Sequence, residues 1–203
     1  MWAVLGLSAT ALAQAAEPSS DGLPGAPRYT LLTGKQRSDR FFKDYLGSPF
    51  TYVAAAGAAS GGQIGNDPKE WHRTWEGYGK RVGTTFAMFT IGTAVHEGGD
   101  AMLGLDPRYF RCRCSGGWRR SWNAVQMTFL AYDSHGHKRI DFPQLAGAYG
   151  SGMIVTTWYP NHYSPLVQGV QMGHQEVGLA AGVNLLREFS PELKRFFRNL
   201  NPF

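Results

Sequence analysis

The sequence predicts an all-α fold: a bundle of five or six Gly- and Ala-rich amphipathic helices with one short hairpin or irregular insertion near 132–142. Three observations carry this expectation. Ser48-Pro49, Asp67-Pro68, Ser164-Pro165 and Ser190-Pro191 each set an N-cap residue before a proline at the first helical position, where the missing N–H costs nothing. Apolar residues recur at spacings of three and four, the period of a helix. Small residues stand four apart, which lets two helix backbones approach closely.

Taken in order, residues 16–38 are rich in Pro, Gly and Ser and read as a flexible leader, with 39–46 as a short amphipathic turn or helix. A helix over 49–65 carries Gly57, Gly61 and Gly65 among alanines. A second begins at Asp67, with Trp71, Trp75, Tyr78, Val82, Phe86 and Phe89 on one stripe, and runs to about Leu103 unless Gly98-Gly99 breaks it. Asp106-Pro107 must redirect the chain. A third helix, 118–131, presents Trp118, Trp122, Val125 and Phe129, then gives way to a polar turn at 132–138. Phe142-Pro143 opens a small-residue segment, 143–159, if Asp141 serves as its cap. The helix over 165–187 pairs Gly169 with Gly173 and Gly178 with Gly182, and 190–200 is a basic amphipathic tail. The glycine rows are the expected packing contacts. Residues 39–203 thus form a single helical domain.

Residues 1–15 read as a secretory signal peptide. An uncharged apolar run from Met1 to Leu12 is followed by small residues at Ala13 and Ala15, and it falls short of the roughly 20 residues a spanning helix needs. The Lys or Arg that normally opens such a peptide is missing, which sets the expected translation start upstream. The chain is therefore expected to be exported, to the periplasm or an envelope membrane. Its net charge of +5 favours an anionic surface, while the lack of basic runs interleaved with aromatics argues against nucleic acid. Aromatics at 13% with charged residues at 17% suit a close-packed or membrane-facing protein.

Tyr78-Gly79-Lys80-Arg81-Val82-Gly83, Asp106-Pro107-Arg108-Tyr109-Phe110, the stretch from Gly147 to Trp158-Tyr159-Pro160, and Leu186-Arg187-Glu188-Phe189 stand in an order that resembles a group of exported proteins of unknown function from soil bacteria. The resemblance spans roughly residues 70–196. It implies an envelope location and carries no activity, cofactor or catalytic residue.

Two constellations could carry chemistry. Arg108, Arg111, Arg113, Arg119 and Arg120 stand beside Tyr109, Phe110, Trp118 and Trp122. Guanidinium binds phosphate bidentately and Trp prefers the membrane interface, so the group suits anionic headgroups, the plainer reading being a solvated loop paired with acids of this chain. On an unbroken helix His96, Glu97 and Asp100 resemble the zinc metalloprotease pattern with Asp in place of the second His, a third ligand coming from His174 or Glu176 and Glu97 acting as general base. The plainer reading makes them polar groups at a helix end. His135 and His137 share a turn and read as a solvated loop. Cys112 and Cys114 are too few for a zinc site and read as an oxidised, strained pair or as links between chains, with a redox role as the alternative because Arg111 and Arg113 favour thiolates. Neither a nucleophile elbow nor a phosphate-binding loop is present.

The expected function is a non-catalytic, membrane-associated envelope protein, structural or lipid-associated, with no cofactor. Its partner would be an anionic membrane lipid or envelope component, or a second copy in a homo-oligomer, and no nucleic acid. The alternative is a metal-dependent hydrolase using His96, Glu97 and Asp100. A carrier of small apolar ligands would need a cavity that glycine-tight packing closes.

Overall fold

A computed structural model describes residues 30–200; the expected signal peptide and most of the expected leader lie outside the described residues. The described part of the leader is corrected at its end. Thr33 and Gln36 form a reciprocal capping box that starts α1, Gly34–Asp39, which runs on into a π-helical stretch, Arg40–Leu46. Arg37 is buried there, and its guanidinium donates to the carbonyls of Glu97 and Leu105 at 3.3 and 2.6 Å.

Helix α2, Pro49–Gly65, has the predicted bounds and ends on Asn66 in the left-handed region, φ 55°. The next helix does not start at Asp67. Buried Arg81 donates to the carbonyls of Asp67, Pro68 and His72, each at 2.8 Å, and to Gln63 Oε1 at 2.6 Å. The carbonyls that a helix would use internally are thereby held as a loop, with one 3-10 turn at Lys69–Trp71. Helix α3, Trp75–Leu103, begins instead where Thr74 caps the N–H of Gly77, and it runs unbroken through Gly98 and Gly99 to Gly104 at φ 64°.

Strand β1, Leu105–Asp106, opens a three-stranded antiparallel sheet with β2, Leu130–Asp133, and β3, Lys138–Ile140, in the order β1-β2-β3. Leu105 pairs with Asp133 and Ala131 with Arg139. This is the predicted insertion, and it shortens the helix expected over 118–131 to α4, Gly117–Gln126. Asp141 does cap α5, Phe142–Thr156, accepting the Gln144 N–H at 2.8 Å. Helices α6, Pro165–Glu188, and α7, Ser190–Leu200, complete an all-α bundle with a small sheet.

Helix α5 lies between α3 and α6, with α2 on α3 and α4 on α6. The glycine prediction holds for Gly169 and Gly173 and is corrected elsewhere. A Cβ on Gly147 would lie 2.6 Å from the Gly92 carbonyl, and one on Gly152 would lie 2.8 Å from that of Gly169; Gly173 abuts the Tyr149 ring. Gly57, Gly61, Gly65, Gly178 and Gly182 meet nothing within 4 Å, because their helix faces turn away from the neighbours that the bundle supplies.

The interior is small and polar. Its buried apolar residues are Ala, Val, Leu and Met, and its largest fully buried side chains include Glu188, Asp100 and Asp106. Of the phenylalanines and tryptophans whose side chains are described, none is buried. Among the described residues no helix is long and apolar enough to cross a membrane.

Candidate functional site

The aromatic and basic side chains expected to meet a headgroup layer lie where α4, α7 and the loop before α4 adjoin. Helix α4 buries Ala124 toward α6, where Asn184 donates to the Ala124 carbonyl and to Thr128 Oγ1. Trp118 and Trp122, one turn apart, are then left 80% and 54% exposed, with Arg119 beside them. On α7 Lys194, Arg195 and Arg198 are exposed, as is Phe196 at 58%.

One carboxylate organises this corner. Glu188, the last residue of α6, is fully buried. Its Oε2 accepts from the Tyr109 hydroxyl at 2.5 Å and from the Cys112 N–H at 3.1 Å, and its Oε1 accepts from Arg120 Nε at 3.1 Å. Arg120 also donates to the Glu188 carbonyl and to Glu192 Oε1, each at 2.5 Å, and stacks over the Phe189 ring at 4.4 Å. Burial, and then the Glu188 charge, push the Tyr109 hydroxyl well up, so it stays a donor. The loop, α4 and α6 therefore meet on Glu188, and Arg120 extends the contact to Glu192 of α7.

The five predicted arginines divide accordingly. Arg108 is spent on Asp106, with Nε at 2.9 Å from Oδ1 and Nη2 at 2.5 Å from Oδ2, and Arg120 is spent on Glu188 and Glu192. That corrects their assignment to headgroups, since the buried carboxylates of Asp106 and Glu188 need cationic partners. Arg111, Arg113 and Arg119 are exposed. Cys112 and Cys114 are joined in a disulfide, which bears out the oxidised pair and corrects the links between chains.

The second predicted group is rearranged. His96 and Asp100 do stand one turn apart on α3, but the third side chain is Asp141, the cap of α5. His174 is corrected as a ligand: it is exposed and sits edge-on to Tyr149, 5.5 Å between ring centroids. Glu176 lies apart, accepting from Ser151 Oγ at 3.2 Å, and burial pushes its carboxyl up to about 7 against the pull of Ser151 and of His96. Glu97 Oε1 pairs with Arg40 at 3.1 Å, while its buried Oε2 has no hydrogen-bond partner. For His96 burial is the largest influence and opposes its charge, yet Asp100 and Asp141 together outweigh it and raise the imidazole to about 9. His135 and His137 are exposed in the β2–β3 turn, which Asp133 organises by accepting both of their N–H groups at 2.9 Å.

Arg37, Arg81, Asp141 as a site residue, and Glu188 were not legible as functional or structural centres. Only Asp141 carried a signal, its capping position before Phe142-Pro143. No protein-family model, curated protein or solved structure matches the chain, so the reading of these groups rests on their own geometry.

Proposed function

We propose that this is an exported protein that associates with an anionic membrane surface of the cell envelope through α4, α7 and the disulfide loop, in a structural or lipid-associated role. One observation carries the reading: α4 exposes Trp118 and Trp122 with Arg119, α7 exposes Phe196 with Lys194, Arg195 and Arg198, and Arg120 ties the two amphipathic helices together through Glu192. Tryptophan settles at the level of lipid headgroups, and a short helix with an apolar and a basic face lies in that plane. The apolar leader ending Ala13-Gln14-Ala15, and the resemblance to exported soil-bacterial proteins, support the location.

Co-sedimentation with vesicles of phosphatidylglycerol and phosphatidylcholine tests the reading. The protein is expected to pellet with these vesicles and to bind phosphatidylcholine alone far less. Arg119→Ser with Arg195→Ser removes two surface cations worth about 1 kcal/mol each, so binding should fall roughly 30-fold. Equal binding to both vesicle types, or no change in the double variant, would overturn it.

A further inference from the structure

We infer that His96, Asp100 and Asp141 form a binding site for one divalent cation of the zinc type. The inference is independent of the membrane reading. His96 Nε2 lies 3.2 Å from Asp100 Oδ2 and 3.0 Å from Asp141 Oδ2, and the three atoms fall within 4.8 Å of one another. Ligands at about 2.05 Å from a tetrahedral ion stand about 3.3 Å apart. The observed separations are edges of that size.

A second observation points the same way. Asp100 is fully buried, yet neither of its carboxylate oxygens has a hydrogen-bond partner; the approach to His96 lacks the alignment of a hydrogen bond. The nearby Arg37 guanidinium does not relieve it, because Arg37 donates to the main-chain carbonyls of Glu97 and Leu105. A buried carboxylate left in that state is costly, and a bound cation removes the cost.

Geometry separates a metal from a proton. One N–H on Nε2 can point along one line, whereas two carboxylates converge on that nitrogen. A divalent ion held by imidazole and two carboxylates satisfies all three atoms at once.

The scaffold is built for close approach. His96 and Asp100 share one face of α3, and Gly99 between them lets α5 begin against it, since a Cβ there would lie 2.6 Å from Pro143 Cβ. Asp141 Oδ1 is fixed by the Gln144 N–H at 2.8 Å, which leaves Oδ2 aimed at His96. A second partner of this kind is how ligating carboxylates are held. Three protein ligands leave one position for water or a further ligand.

The test uses the full, tag-free protein stripped with chelator, desalted and titrated with zinc chloride by calorimetry, with metal counted by mass spectrometry. One equivalent is expected. Asp100→Asn and Asp141→Asn should each weaken binding at least tenfold, while His135→Asn with His137→Asn should leave it unchanged. Less than a tenth of an equivalent bound by the wild type would overturn the site, as would undiminished binding in both aspartate variants. Should those variants fail to fold, zinc-edge X-ray absorption of the loaded wild type decides: one imidazole with oxygen neighbours supports the site, and two or more imidazoles overturn it.

Discussion

Glu176 is a carboxylic acid wedged between helices. Ser151 is its hydrogen-bond donor, and a Cβ on Gly92 would come within 2.6 Å of its Oε1. Burial raises its folded pKa to about 7, above the ordinary value of 4.5. The protonated form is thus the one the fold favours: the native state bears no penalty from this group below about pH 4.5, and loses stability as pH climbs toward 7. Glu176→Gln should therefore stabilise the protein at pH 8, by on the order of 2 kcal/mol, and do little at pH 4.5. Urea unfolding of both proteins at the two pH values measures this; an equal difference at both would show that charge is not the cause. Glu188 is fully buried with Arg120 as its partner. Glu188→Ala leaves Arg120 with Glu192 but strands the Tyr109 hydroxyl and the Cys112 N–H, and should cost about 1–3 kcal/mol in the same assay.

Among helices, glycine divides into two kinds that sequence spacing does not separate. Gly92, Gly147, Gly152 and Gly169 sit where α3, α5 and α6 cross, and three of them meet main-chain atoms closely enough to exclude a Cβ. Gly147→Ala and Gly152→Ala should each cost about 2 kcal/mol or more, in the range of overpacked cores. Gly57→Ala and Gly178→Ala meet open space within helices and should stabilise by about 0.5–1 kcal/mol through helix propensity. Thermal melting of the four variants checks the division, and a loss of stability at Gly57 and Gly178 would point to a contact outside the single chain. The spacing of four was readable because local backbone geometry imposes it. Which row meets a partner depends on helices far apart in sequence, and so was not. The start of α3 illustrates the same limit: Asp67-Pro68 has every local mark of a helix start, and Arg81, fourteen residues on, overrides it. In contrast Ser48-Pro49 and Ser164-Pro165 meet no such competitor, and their helices begin as read.

Across the whole molecule, polarity is distributed toward an apolar outside. Small and polar side chains fill the centre, while Trp75, Met102 and Trp118 are 88%, 88% and 80% exposed. Contiguous exposed apolar groups, rather than single ones, mark interaction surfaces, and Trp118 and Trp122 stand one turn apart on α4. The net charge of +5 adds an electrostatic component that salt screens. Raising ionic strength from about 0.1 to 1 M shortens the screening length from about 10 to 3 Å, so vesicle binding should weaken without vanishing. Trp118→Ser with Trp122→Ser should abolish the salt-resistant part, and co-sedimentation across a salt series reads both. The basic and aromatic character of this corner was legible in the sequence. The use of Arg108 and Arg120 inside the fold was not, because their partners, Asp106 and Glu188, are recognisable as buried only once the chain is folded.

Arg37 also sets an order of events. It leaves the ribosome early, yet the carbonyls it must meet belong to residues 60 and 68 positions later. Until Glu97 and Leu105 have emerged, the first helical turn has nothing to dock on, whichever compartment receives it. The N-terminal end of the described chain therefore cannot settle before residue 105 has emerged. A chain halted before Leu105 would leave that segment accessible to protease, and one released after it would close over the same peptide bonds.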